Sequence, residues 1–254
     1  MVLLVKFYLI TKQIMMLKLH QFQLLNLLQL ASPALPVGAY SYSEGLETLV
    51  EQGTIADETS LESWLSQELT FGAIRIEAAV MLRAYQCFVN QDLNKLNYWN
   101  CWLSASKESS ELRSQSWQMG NSLLRLLMNL QESNQGNPDK CDLVSLDYFT
   151  SAIAPPCNYA IAFGIGAANW QIDSKLALLG YLHSWATNLI NVGVKLIPLG
   201  QTAGQKMLFK LREQLARTTE EILTVSDDNL MACSWGLGLA SMIHETQYTR
   251  LFRS

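Results

Sequence analysis

The sequence predicts an all-α fold, a single-domain bundle of about eight to ten helices. Apolar residues recur at helical spacing along most of the chain, residues able to cap a helix stand just ahead of those runs, and no alternating strand pattern of useful length occurs. At 254 residues the chain can bury one large core without disulfide or metal staples.

Residues 1–27 read as a flexible or loosely helical extension to a domain spanning 28–254. Val2–Val5 and Phe7–Ile10 are apolar, but Lys6, Lys12 and Lys18 interrupt them, so no run approaches the roughly 20 apolar residues of a bilayer span. Met15 and Met16 are alternative starts. Ser43 is placed to cap a short helix carrying Leu46, Leu49 and Val50, which Gly53 can end. Thr59 and Glu62 have capping-box spacing ahead of Leu61, Trp64, Leu65 and Leu69. Ile76, Val80, Leu82 and Phe88 mark the next helix, Asp92 caps one with Leu96, Trp99 and Leu103, and another runs from Leu112 to Leu130. Glu132–Asp142, through Gly136, Asn137 and Pro138, reads as the long loop.

After Pro155 and Pro156, the sequence places Ala160, Gly164 and Ala168 at four-residue spacing, giving one helix a face almost without side chains. Asp173 caps a long helix with Leu176, Leu179, Ala186, Leu189, Ile190, Gly193 and Ile197, which Pro198 stops; its pattern is that of a central, buried helix. A loop from Pro198 to Gln205 follows. Met207, Leu211, Leu215 and Ile222 then line one helical face, opposite Arg212, Glu213, Arg217 and Glu220, with Glu213 spaced to pair with Arg217. Asp227 or Asp228 caps a last helix, rich in Trp235, Leu239, Met242 and Ile243 and ending near Tyr248.

Hydrophobic residues make up 49% and charged residues only 16%, too few charges to cover the outside, so apolar surface is expected to meet partners. A net charge of −4 gives nucleic-acid binding no electrostatic basis. Cys87, Cys101, Cys141, Cys157 and Cys233 form no C-x-x-C pair and read as reduced, mostly buried thiols of a cytoplasmic protein. The stretches Gly200–Lys206, Gly164–Gly166 and Gly236–Gly238 fail every phosphate-binding pattern, and Gly38–Gly45 fits no nucleophile elbow. His20, His183 and His244 are far apart, and His183 continues the apolar face of Leu179, Ala186 and Ile190 as a hydrogen-bonded core histidine. The sequence therefore carries no recognisable catalytic, cofactor-binding or metal-ligating motif, and only convergence of distant residues could supply one.

Three segments carry a family resemblance: Leu28–Glu47 (LQLASPALPVGAYSYSEGLE), Lys195–Gln205 (KLIPLGQTAGQ) and Arg250–Ser254 (RLFRS). Taken in order, they make the chain similar to the urease accessory protein F family. The resemblance implies an all-α, non-enzymatic, cytoplasmic protein, likewise a homodimer without membrane or nucleic-acid partners. It would scaffold the accessory protein D or H and the GTPase G on apo-urease and support GTP-dependent assembly of the nickel metallocentre. Nickel would pass through the complex without a permanent site here. Partner contact is expected at Pro36, Gly38, Tyr40, Ser43 and Glu47 in the first segment. In the second it is expected at Lys195, Pro198, Gly200, Gln201, Gly204 and Gln205, and in a flexible tail at Arg250, Leu251 and Phe252. Lys195 stands where the family commonly has arginine, and Asn158 and Asn169 where relatives carry histidine, so no nickel ligand is assigned. The competing readings are an all-helical enzyme whose distant residues converge, and a generic helical adaptor at a membrane surface that uses residues 1–18.

Overall fold

Among the residues that the computed structural model describes, 20–132 and 146–253, the helical spacing becomes eleven α-helices and no strand. In chain order these are α1 (20–30), α2 (Leu46–Glu51), α3 (Glu58–Phe71), α4 (Ala73–Val89), α5 (Leu93–Ser106) and α6 (Ser110–Glu132). They continue as α7 (Leu146–Ala152), α8 (Tyr159–Asn169), α9 (Ser174–Leu196), α10 (Gln201–Thr224) and α11 (Trp235–His244). The short α7 adds a helix that spacing alone does not reveal, because only Leu146 and Phe149 on it are buried. The expected loop from Glu132 to Asp142, and Cys141 within it, fall almost wholly outside the described residues.

Local chemistry accounts for most helix starts. Asp92 accepts from the Lys95 amide at 3.0 Å, and Asp173 from the Lys175 and Leu176 amides at 3.0 and 3.1 Å, as their spacing predicts. The capping box of α3 sits earlier than expected: Asp57, not Thr59, takes the Ser60 amide at 2.8 Å while Ser60 returns its hydroxyl. Ser43 does not cap α2. Gly45 occupies that position at φ +81°, with α11 so close that a Cβ would lie 3.0 Å from the Ser241 nitrogen. Asp227 and Asp228 belong to a short 3-10 turn, and Asp227 is drawn off to the buried Arg83 at 2.7 Å instead of capping α11. The Pro198–Gln205 loop is shorter than expected, since α10 already begins at Gln201. Arg217 turns to Glu221 at 3.9 Å, one helical turn ahead, in place of Glu213.

Helix α8 is the centre of the fold, buried from Ala160 to Asn169, whereas the longer α9 buries one side only. Helix α4 packs along α8 more extensively than any other described pair, and α6 covers a second side. The small-residue stripe makes this possible: a Cβ on Gly164 would overlap the Met81 carbonyl oxygen, so the two backbones touch. Helix α9 then packs on α10 and α4. No described helix is long and apolar enough to cross a membrane.

Candidate functional site

The three recognised segments, far apart in the chain, partly meet at one end of the bundle. Glu47 lies on α2, buried at 7% exposure, and its carboxylate accepts from the Leu251 and Phe252 amides at 2.6 and 2.9 Å. Phe252 is buried, and Lys195 of α9 places its ammonium 5.6 Å from the centre of that ring, within cation–π range. The Arg253 amide donates to the Ser41 carbonyl at 2.8 Å. Arg250 reaches Glu111 of α6 at 2.8 Å and the Glu245 carbonyl at 3.0 Å. The expected flexible tail is thus docked on its own chain, because a buried carboxylate supplies the acceptors that its backbone amides need.

The other candidates spread over the neighbouring surface. Pro36 and Tyr40 are exposed on the first segment's turn, Gly38 holds φ +82°, and Ser43 is buried. Pro198 and Gly200 are exposed between α9 and α10, Gln201 and Gln205 face outward on the first turns of α10, and Gly204 is buried against Val194 and Ile190. Leu251 projects outward at 67% exposure.

Helix α11 lies over this junction with its apolar side outward. Trp235, Leu239, Met242 and Ile243 are 78, 57, 46 and 47% exposed, while Leu237, Gly238, Ala240, Ser241 and His244 face inward. The sequence marks this helix by its large apolar residues without saying which side is buried, and it misses His244, the fully buried histidine of the fold. Its Nε2 lies 3.2 Å from Glu47 Oε2 and its Nδ1 2.8 Å from Glu111 Oε2. The inward set recurs at positions 237, 240, 241 and 244, a helical period that was available as a signal. His183, expected in the core, is instead exposed on α9, where partial burial lowers its pKa.

Beneath the first segment is a cavity of about 50 Å³, lined among others by Glu44, Glu77, Lys107, Tyr181 and Trp185, with room for a few water molecules. Glu44, at φ +53°, turns inward and accepts from Trp185 Nε1 at 3.0 Å and Gln115 Nε2 at 3.2 Å. Glu77 pairs with Lys107 and accepts from the Tyr181 hydroxyl at 3.1 Å. One ammonium cannot neutralise both carboxylates, and burial followed by repulsion from Glu77 pushes the Glu44 carboxyl up to about 7. Burial, with Glu44 and Glu108 nearby, does the same to Glu68, also to about 7.

Among the described residues no three or more His, Cys, Asp or Glu side chains gather as a metal site. Asn158 is committed to the fold: its amide donates to Asn100 Oδ1 at 2.9 Å and Ser104 Oγ at 2.8 Å and accepts from Ser116 Oγ at 3.0 Å, tying the start of α8 to α5 and α6.

A family model described as UreF matches residues 55–212. The chain is 60% identical to the urease accessory protein UreF of a Nostoc species over 235 residues, 92% of this chain and 96% of that protein. It is 56% identical to the protein of the same name from Microcystis aeruginosa over 236 residues, 93% of this chain and 100% of that one. The likeness to that of Chromohalobacter salexigens is 38% over 231 residues, 91% and 94% of the two chains.

Proposed function

This chain belongs to the UreF family and is a urease accessory protein, not an enzyme; from that premise we propose that it is a scaffold in the assembly of the urease nickel centre. It holds the accessory protein D or H and the GTPase G on apo-urease, as a cytoplasmic homodimer, while the GTPase supplies the nucleotide chemistry and nickel passes as cargo. The observation that carries this reading is the meeting of Glu47, Lys195 and Phe252, one residue from each recognised segment, beside the outward apolar side of α11. A patch of large apolar side chains left in water marks a surface suited to another protein.

Co-expression of the full chain with the D or H protein and the G protein, followed by pull-down, tests the scaffold directly. A stable complex is expected, and failure of the folded chain to retain either partner overturns the reading. Gly200 has open space around it and an ordinary backbone conformation, and Gln205 is exposed, so Gly200→Asp and Gln205→Ala should preserve helicity by circular dichroism while weakening capture. Undiminished capture by both variants removes the start of α10 from the interface.

A further inference from the structure

An open cleft of about 170 Å³ adjoins the junction, walled by Tyr42 of the first segment, the first turns of α6 and Arg253 of the tail. Its side-chain acceptors are engaged. Glu111 gives one carboxylate oxygen to Arg250 and the other to His244, both at 2.8 Å, and Gln118 Oε1 accepts from the Tyr42 hydroxyl at 2.7 Å. Glu245, bound at the rim, accepts from the Ser110 hydroxyl at 2.6 Å and from the Ser110 and Glu111 amides at 3.2 and 3.3 Å.

Several donors in the same cleft are free. The exposed Arg253 guanidinium has no hydrogen-bond or ion-pair partner among the described residues, although its own backbone amide anchors the residue on the Ser41 carbonyl at 2.8 Å. The Ser114 hydroxyl is equally unpaired among the described residues, and Gln118, with its oxygen committed, keeps two N–H groups to give. Free donors beside engaged acceptors match a ligand group that only accepts, and a guanidinium holds the two oxygens of a carboxylate in parallel. One uncompensated cation suits one negative charge. A phosphate dianion would keep its second charge beside Glu111 and Glu245.

We propose that this cleft is a receptor for the carboxylate of an Asp or Glu side chain on the protein that docks at this end of the bundle. Arg253 takes the two oxygens, and Gln118 and Ser114 complete their shell. Through Glu111 the cleft shares its floor with His244 of α11 and Arg250 of the tail, so one docked surface covers it together with the outward apolar side of α11. The apolar contact supplies area and the buried ion pair fixes the register. None of the three receptor residues is among the contacts expected from the recognised segments. The identity of the docked protein rests on the scaffold reading; the preference for a carboxylate does not.

Two measurements on the full chain test it. In the ¹⁵N-labelled protein, acetate at millimolar concentration should shift the Arg253 Nε–H and Gln118 side-chain amide signals saturably. Sodium chloride at equal ionic strength should not, and Arg253→Gln should abolish the Gln118 response. In the complex with the D or H protein and the G protein, Arg253→Glu should weaken capture at least about tenfold at unchanged helicity, with Arg253→Lys intermediate. No acetate response, or the same response to chloride, overturns the carboxylate receptor. An acetate response with undiminished capture by Arg253→Glu overturns the docking role and leaves a site for dissolved carboxylates. A parent chain that captures neither partner overturns the scaffold reading instead, and the acetate titration then decides the cleft alone.

Discussion

The contact of α4 with α8 and the junction of α2, α11 and the tail are built on opposite plans. In the first, side chains shrink to glycine and alanine, two backbones meet and nothing polar is needed between them. In the second, carboxylates and an imidazole lie inside, the Arg250 guanidinium closes over them from the surface, and Trp235, Leu239, Met242 and Ile243 face water. The first arrangement stabilises the fold and leaves no surface to offer. The second leaves apolar area unburied and spends charge on holding loose ends, which is the composition of a region that makes its remaining contacts with another molecule.

The sharpest way to break this contrast is at the core. Gly164→Ala drives a methyl group into the Met81 carbonyl, which cannot yield as a flexible side chain would, and should cost about 3 kcal/mol or more in a urea melt. A loss below about 1 kcal/mol would mean that the helices are not in backbone contact.

Glu47→Ala comes next. It strips one partner from His244 and two amide acceptors from the tail, with an expected loss of about 2–4 kcal/mol. Carboxypeptidase should then trim the tail faster than in the parent, and equal trimming would show that the glutamate does not hold it.

A smaller effect separates the two regions by pH. The carboxyls of Glu44 and Glu68 are raised from an ordinary 4.5 to about 7, so between those values the unfolded chain loses protons that the folded chain keeps. Stability from these groups is full below pH about 4.5, falls as pH rises toward 7 and is lost above it, by about 1–3 kcal/mol for each group. Urea midpoints across that window should decline in the parent and decline less in Glu44→Gln. An identical slope in the variant would remove Glu44 from the effect.

The smallest expected effect on stability is the one most telling for function. Trp235→Ser, on the exposed side of α11, should change folding free energy by less than about 0.5 kcal/mol while reducing partner capture. A large loss of stability would instead show that this side packs against the chain itself.

What the sequence reveals and what it hides follow the same division. The caps at Asp92 and Asp173 and the stripe of Ala160, Gly164 and Ala168 are legible because their causes lie within one or two helical turns. The cap at Asp57 competes with an equally spaced alternative at Thr59, and only the folded backbone decides between them. Asp227 has the look of a cap but is claimed by Arg83, 144 positions away. Helix α11 is only half legible: its large apolar residues mark a helix without saying which side is buried, and its inward face must admit α2 and the tail and so carries Gly238, Ala240, Ser241 and His244. The recognised segments point to the right family, yet nothing in their spacing says that Glu47 binds the amides of Leu251 and Phe252.

That last bond also sets an order of events during synthesis. Glu47 and its amide partners are separated by 204 and 205 positions, so the carboxylate lacks these partners until Leu251 and Phe252 have left the ribosome. The α4–α8 pair can close much earlier in translation. Emergence of residues 250–253 is therefore the event that seals this end of the molecule, and a nascent chain stalled short of Arg250 would display an open seam that the longer chain conceals.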